Sequence, residues 1–231
     1  MDESGGGAAA VAEQGPRMRR EPRQQRSRDR VRLILGAADA ILSAEGFEAL
    51  TVRRIAEAAG VPVGSIYQFF PDKAAVVDAL ARTYIAEFDQ AIESLVALSD
   101  AALWDDLVGT LIDAFAALYR SHPGYVALWS GRHLSPELAR ADEANNAAIA
   151  DGVRRILVRQ AALPDGEELA GVSRIAVVVA DALLQFAFRA GAADARAGGG
   201  GDGEVRGDVQ VLGELKTLLR LYLAEVIGRL A

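Results

Sequence analysis

Residues 51–73 read Thr51-Val-Arg-Arg-Ile-Ala-Glu-Ala-Ala-Gly60-Val-Pro-Val-Gly-Ser-Ile-Tyr-Gln-Phe-Phe-Pro71-Asp-Lys73, and the punctuation of this stretch decides the fold. Thr51 suits the N-cap of a short helix over 52–59, because its hydroxyl can accept a hydrogen bond from an otherwise orphaned amide of the first turn. Gly60 closes that helix, and Pro62 suits the first turn of another that ends by Pro71. Ile55, Ala56, Ala59, Val61 and Ile66 are available to bury, with Ala56 and Gly60 small where two helices cross. Val63, Gly64, Ser65, Tyr67 and Gln68 are left to face outward on the second helix. They are short or polar side chains able to approach a groove, and Tyr67 is long enough to reach a phosphate. The spacing alone fits a helix-turn-helix and equally a plain helical hairpin.

Upstream, Val31, Ile34, Leu35, Ala38, Ile41 and Leu42 recur at helical spacing from about Ser27, and Gly46 ends that helix with Phe47 placed to pack back on it. Downstream, a long helix is expected from Asp72 to about Leu98. Others follow at roughly 102–120, 124–131, 136–161, 166–191 and 208–229, separated by Ser-Asp, His-Pro-Gly, Ser-Pro and Pro-Asp-Gly turn signals. No segment alternates with period two, so the chain is expected to be all-α. Residues 1–22 carry no periodicity, and 192–207 are Gly-rich and read as a loop. Gly198, Gly200 and Gly203 fit G-x-G-x-x-G, but no strand precedes them, so a dinucleotide site is rejected. The expected organisation is a disordered basic arm at 1–26, a DNA-binding domain at 27–72 and a helical effector-binding and dimerisation domain at 73–231.

The chain has 231 residues and a net charge of −7. That total hides an asymmetry, because residues 17–82 hold 12 Lys and Arg against 8 Asp and Glu while residues 83–231 carry −8. A basic front on an acidic body suits a DNA reader with a separate sensing domain. The absence of cysteine excludes disulfides, thiolate metal sites and cysteine nucleophiles. Asp2 and Glu3 at the start do not make a secretory signal. The most apolar run, 175–188, is interrupted by Asp181 and Gln185 and is read as far short of a membrane span. No cofactor, metal or membrane partner is expected, and the expected location is cytoplasmic.

Taken with the preceding helix ending Gly46-Phe47 and the following Phe69-Phe70-Pro71-Asp72-Lys73, the stretch resembles the DNA-binding domain of the TetR family, over about Arg28 to Leu80. The resemblance implies roles residue by residue. Thr51 matches a helix cap that touches phosphate. Arg53 matches a position that enters the major groove, where an arginine can bridge O6 and N7 of guanine, or it is a solvent-exposed helix arginine. Val63, Gly64 and Ser65 match the start of the recognition helix, with Gln68 exposed beside them, and Tyr67 and Lys73 match phosphate clamps. Phe69 stands where the family often has His or Tyr, cannot bond a phosphate, and is assigned to packing. Arg17, Arg19, Arg20, Arg23 and Arg26 either follow the DNA or form a solvated tail.

In the larger domain, aromatic residues lie at core spacing, with isolated polar residues among them. Tyr84, Phe88, Trp104, Phe115, Tyr119 and Trp129, with Asn145, Asp181 and Gln185, are the candidate effector contacts, since a polar group in an apolar wall needs a partner. Phe186, Phe188, His122, His133 and Asn146 share that setting, with His122 also placed to cap a helix. For every one of them plain packing or a bond to a helix end is the competing reading. The final helix carries more apolar surface than one side needs, with Val209, Leu212, Leu215, Leu219, Tyr222, Leu223 and Val226 in one stripe and Leu218, Leu221 and Ile227 beside it. The resemblance implies that it forms a four-helix dimer seam with 172–186, where Leu219 and Leu223 are expected. Two histidines and no H-E-x-x-H, G-x-S-x-G or Walker loop leave no assembled enzyme site. The expected function is therefore a homodimeric repressor on double-stranded operator DNA, released by a small, mostly apolar molecule. The alternative is a DNA-binding regulator that answers to a protein partner or to no ligand.

Overall fold

The computed structural model describes residues 25–130, 135–196 and 207–230. Arg17, Arg19, Arg20 and Arg23 of the arm, His133, and Gly198, Gly200 and Gly203 lie outside the described residues. Among the described residues every regular element is helical, and nine α-helices follow one another: α1 (Gln25–Glu45), α2 (Val52–Ala59), α3 (Val63–Tyr67), α4 (Lys73–Ala101), α5 (Leu107–Ser121), α6 (Pro123–Ser130), α7 (Pro136–Ala161), α8 (Glu167–Arg196) and α9 (Val209–Leu230).

The helix ends follow from local chemistry. Thr51, Asp72, Asp106 and Ser135 each accept a hydrogen bond from the amide three residues on, which starts α2, α4, α5 and α7. Gly60 ends α2 at φ 64°, a left-handed geometry that a side chain would strain. Gly46 ends α1 at φ 82°, and a 3-10 turn at Phe47–Ala49 leads into α2. Three boundaries differ from the sequence expectation. α1 begins at Gln25, so the last two residues assigned to the arm are helical. Residues 102–106 join α4 to α5 instead of opening α5, and α8 runs on to Arg196.

Val31, Ile34, Ala38, Ile41 and Leu42 of α1 bury against Ile55, Ala56, Ile66, Phe69 and Phe70, which makes the three-helix head. α4 belongs to head and body at once. Val76, Val77 and Leu80 near its start join the head's core, and farther along it packs on α7 with Phe88, Ile92 and Leu95 buried. At its far end the Gln160 amide of α7 donates to the Ser99 and Ala102 carbonyls at 2.9 and 2.8 Å, while its oxygen accepts from Trp104 N–H at 2.8 Å.

α8 packs on α1, α5, α6, α7 and α9. Within Glu167–Arg189 an 18-residue window reaches a mean hydropathy of 1.7, so this helix is long and apolar enough by length and composition to cross a membrane, which corrects the expectation that the region falls short. The two polar residues taken as interruptions do not lower the hydropathy enough, because the apolar helix extends well beyond 175–188. Leu169, Val172, Ala176, Leu184 and Phe188 are buried, whereas Ile175, Val178 and Phe186 are exposed, so Phe186 is not the core aromatic its spacing suggested. On α9, Leu215, Leu219, Leu223 and Val226 face the body, and Leu218 and Leu221 face out. Leu219 and Leu223 are therefore wall residues of the subunit, not seam residues. Burial of that stripe sets the rotation, and exposed ion pairs accompany it: Lys216 Nζ to Asp113 at 2.7 Å, Arg220 to Asp106 at 2.6 Å and Arg229 to Glu168 at 2.9 Å.

Candidate nucleic-acid interface and effector cavity

The outer surface of the head is formed by α2 and the start of α3. Val63, at 39% exposure, stands beside exposed Gly64, Tyr67 and Gln68, with Ser65 half-buried among them. The Ser65 amide donates to the Pro62 carbonyl at 2.8 Å, which closes the first turn of α3. No atom lies within 4 Å of where a Gly64 side chain would begin, so internal packing does not require glycine there. The Arg53 guanidinium is exposed and donates to Glu57 Oε1 at 3.0 Å, one turn along α2. Thr51 uses its hydroxyl oxygen as the α2 cap, at 3.2 Å from Arg54 N. Lys73 holds its ammonium 4.3 Å from the Phe47 ring centre, at the junction of α4 and the turn after α1.

Arg54, adjacent to the expected reader Arg53, turns along the head's surface toward the end of α1. Its guanidinium pairs with Glu45 at the end of α1 and donates to the Ala49 carbonyl at 3.3 Å, tying α2 to α1. That hydrogen bond and charge hold the Glu45 carboxyl below the usual carboxylate range. Phe69 is buried, in keeping with its assignment to packing.

In the body, α4, α5, α6, α7, α8 and α9 line a partly open cavity of about 70 Å³. Of the nine candidate contacts, the structure brings Phe88, Phe115, Tyr119, Asn145 and Asp181 to its wall. Four do not line it. Tyr84 turns toward α1, where its hydroxyl donates to Asp39. Trp104 is held at the α4–α5 connection by Gln160. Trp129 stacks on Tyr125 at 4.2 Å, behind the wall, and Gln185 spends its amide on Asp181 Oδ2 at 2.9 Å. Tyr125 and Asn146 complete the polar part of the wall, and Leu219 and Leu223 reach it from α9. Tyr125 was not singled out in the sequence; its i, i+4 spacing from Trp129 is the signal that would have found it.

Phe88 is the hub of the aromatic wall, 5.9 Å from Phe115, 5.7 Å from Tyr119 and 5.0 Å from Tyr125. The Tyr119 hydroxyl donates to Asp181 Oδ1 at 2.8 Å. Burial, reinforced by neighbouring carboxylates, pushes the Tyr119 and Tyr125 phenols well above their ordinary range, so both remain neutral donors. Asp142 of α7 is also raised, chiefly by burial and further by Asp181.

A second space, of about 390 Å³, lies where α1 meets α4 and is lined by Arg28, Leu35, Asp39, Tyr84, Glu87 and His122, among others. His122 caps α5 through its amide, which donates to Leu118 O at 3.0 Å, and its ring pairs with Glu87. Among the described residues no group of three or more His, Cys, Asp and Glu is placed to hold a metal ion.

A helix-turn-helix head joined by a shared helix to a helical body with a largely apolar cavity defines the class of helix-turn-helix regulators. Residues 34–80 match the family model described as bacterial regulatory proteins, tetR family, and residues 102–197 match the tetracyclin repressor-like C-terminal domain. The chain belongs to the TetR family. It is similar to the HTH-type transcriptional repressor KstR of Mycolicibacterium smegmatis, 45% identical over 58 residues that cover 25% of this chain and 28% of that protein. The Rhodococcus jostii KstR is 43% identical over 58 residues, 25% of this chain and 27% of its own length. The chain thus spans little more than a quarter of these curated relatives. A TetR-family regulator from Streptomyces coelicolor, solved by crystallography, aligns over 87% of this chain and 99% of its own at 27% identity and a TM-score of 0.56.

Proposed function

We propose that the chain is a cytoplasmic, dimeric transcriptional repressor that grips operator DNA with Thr51, Arg53, Val63, Gly64, Ser65, Tyr67, Gln68 and Lys73, and that a small molecule entering the cavity releases it. One observation carries this reading. α4 is a single 29-residue helix whose start is packed into the head and whose Phe88 lines the cavity. An occupant that displaces Phe88 displaces the same rigid element that sets the head's position. Two heads held about one helical turn apart tolerate little change in spacing. At about 70 Å³ the cavity is well below the roughly 300–1,000 Å³ of ordinary ligand pockets, so an effector must push its walls apart to enter. That expansion supplies the movement.

Selection from randomised duplexes tests the DNA half. Enrichment of paired, pseudo-palindromic half-sites is expected, with Arg53→Ala costing about 1–3 kcal/mol and relaxing preference at one base pair. Lys73→Ala is expected to weaken all sequences alike and make the salt dependence shallower. Failure to enrich any paired half-site overturns the reading. For release, linkage requires that a compound which weakens operator binding be itself bound less tightly, by the same factor, when operator is present.

A further inference from the structure

The charge around the cavity is one-sided. Among the described lining residues Asp181 is ionisable as an acid and no Lys, Arg or His is present. Among the described residues the two groups that bond the Asp181 oxygens, the Tyr119 hydroxyl and the Gln185 amide, are neutral donors that do not balance a carboxylate charge. Asp142 stands behind the same wall, and the charged neighbours acting on Asp142 and Tyr125 are carboxylates. Apart from the neutral amides of Asn145 and Asn146 the remaining wall is aromatic and aliphatic, and ring faces are the negative pole of the aromatic quadrupole. An unbalanced anion in an apolar wall is costly to maintain unless something positive joins it.

We propose, on the reading of the cavity as the effector site, that its occupant is a lipophilic cation: an ammonium or quaternary amine set against Asp181 and the rings of Phe88, Tyr119 and Tyr125, with an apolar group among the aliphatic residues of α5 and α7. The carboxylate supplies the opposite charge, and the rings replace part of the water the ammonium sheds. Asp142 adds a second negative charge from outside the wall. An anionic effector such as a carboxylate or phosphate is disfavoured by the same arrangement.

The test uses the full chain and two probes of nearly equal shape, benzyltrimethylammonium and neopentylbenzene, in which carbon replaces the nitrogen. Water hydrates the ammonium strongly, so a merely apolar cavity prefers the hydrocarbon. Equilibrium dialysis is expected to show the cation held at least about tenfold more tightly. Asp181→Asn, which keeps an oxygen for Tyr119, is expected to abolish the preference by weakening the cation and leaving the hydrocarbon essentially unchanged. Asp142→Asn, outside the cavity lining, is expected to weaken the cation to a smaller extent and spare the hydrocarbon. Binding of neopentylbenzene without a preference for the cation overturns the proposed charge selectivity and leaves the cavity as an effector site. Binding of neither probe by folded wild-type chain overturns both.

Discussion

The Tyr84 hydroxyl on α4 donates a hydrogen bond to the Asp39 carboxylate on α1, and Gly124 of α6 sits directly against the pair. A side chain at Gly124 would collide with both oxygens, so the glycine lets three helices meet where head and body join. Burial, with the Asp39 charge next, pushes the Tyr84 phenol far above its ordinary range, which keeps it a donor at any physiological pH. Tyr84→Phe removes the donor and keeps the ring. It is expected to cost about 1.5 kcal/mol, the low end for a bond to a charged acceptor because Asp39 is only half-buried. Urea unfolding measures this, and an unchanged midpoint would show that the bond contributes nothing.

Gly64 separates stability from recognition. Its side-chain position is open, and glycine in a helix is about 0.5–1 kcal/mol less favourable than alanine. Gly64→Ala should therefore raise the melting temperature of the free protein. If α3 lies in a groove, the added methyl should at the same time weaken binding to the selected duplex by about 1–3 kcal/mol, the range for one mismatched contact. A variant that is more stable and binds equally well would place the DNA surface elsewhere.

The two faces of α9 make opposite predictions. Leu221, 68% exposed, and Phe186 of α8, 60% exposed, belong to the apolar surface left uncovered by the subunit. Leu221→Glu should leave the fold intact, shift sedimentation toward monomer and abolish tight DNA binding. Leu219→Glu places the charge in the buried wall and should instead lower the unfolding free energy by about 3–5 kcal/mol, as an unpaired buried charge does. A fully dimeric Leu221→Glu protein would move the seam away from this face.

Asp142 gives stability a pH dependence of definite sign. A carboxyl whose pKa is raised by folding penalises the native state once it ionises; the penalty is absent below the unfolded value and complete above the folded one. Asp142→Asn removes it. The variant should be more stable than wild type at neutral pH, and the advantage should shrink as pH falls through the raised value toward the ordinary carboxylate range. Denaturant midpoints at acidic and neutral pH read this directly, and an advantage that grows on acidification would reverse the assignment.

Capping chemistry made most of the fold legible. Thr51, Gly60, Asp72 and Ser135 mark helix ends with side chains or backbone geometry that act over three or four residues, and α2 and α7 fall where those signals put them. The head's surface residues were legible for the same reason: five residues between Pro62 and Gln68 leave little choice of what points out. Facing was harder on α9: periodicity marks the stripe of Leu215, Leu219, Leu223 and Val226, but with Leu218 and Leu221 apolar beside it the spacing does not say whether that stripe meets the body or a twin. What the stripe packs on, and the Asp113 and Asp106 partners of Lys216 and Arg220 beside it, lie far away in sequence, the two ion-pair partners 103 and 114 residues off. Tyr84 and Trp104 looked like cavity aromatics for a similar reason. Asp39, 45 residues away, turns the Tyr84 ring toward α1, and Gln160, 56 residues away, anchors the main-chain N–H of Trp104 at the α4–α5 connection.

The double-sided character of α9 reaches past a single subunit. Leu219 and Leu223 face the cavity, and Leu221, between them in sequence, faces the surface where a twin would sit. In a dimer built on this seam, each cavity is separated from its neighbour's molecule by the thickness of one helix. An occupant that thrusts Leu219 outward drives Leu221 against the other protomer, so the first molecule taken up changes what the second one meets. Uptake by such a pair is not two independent events, and its saturation curve departs from a simple hyperbola.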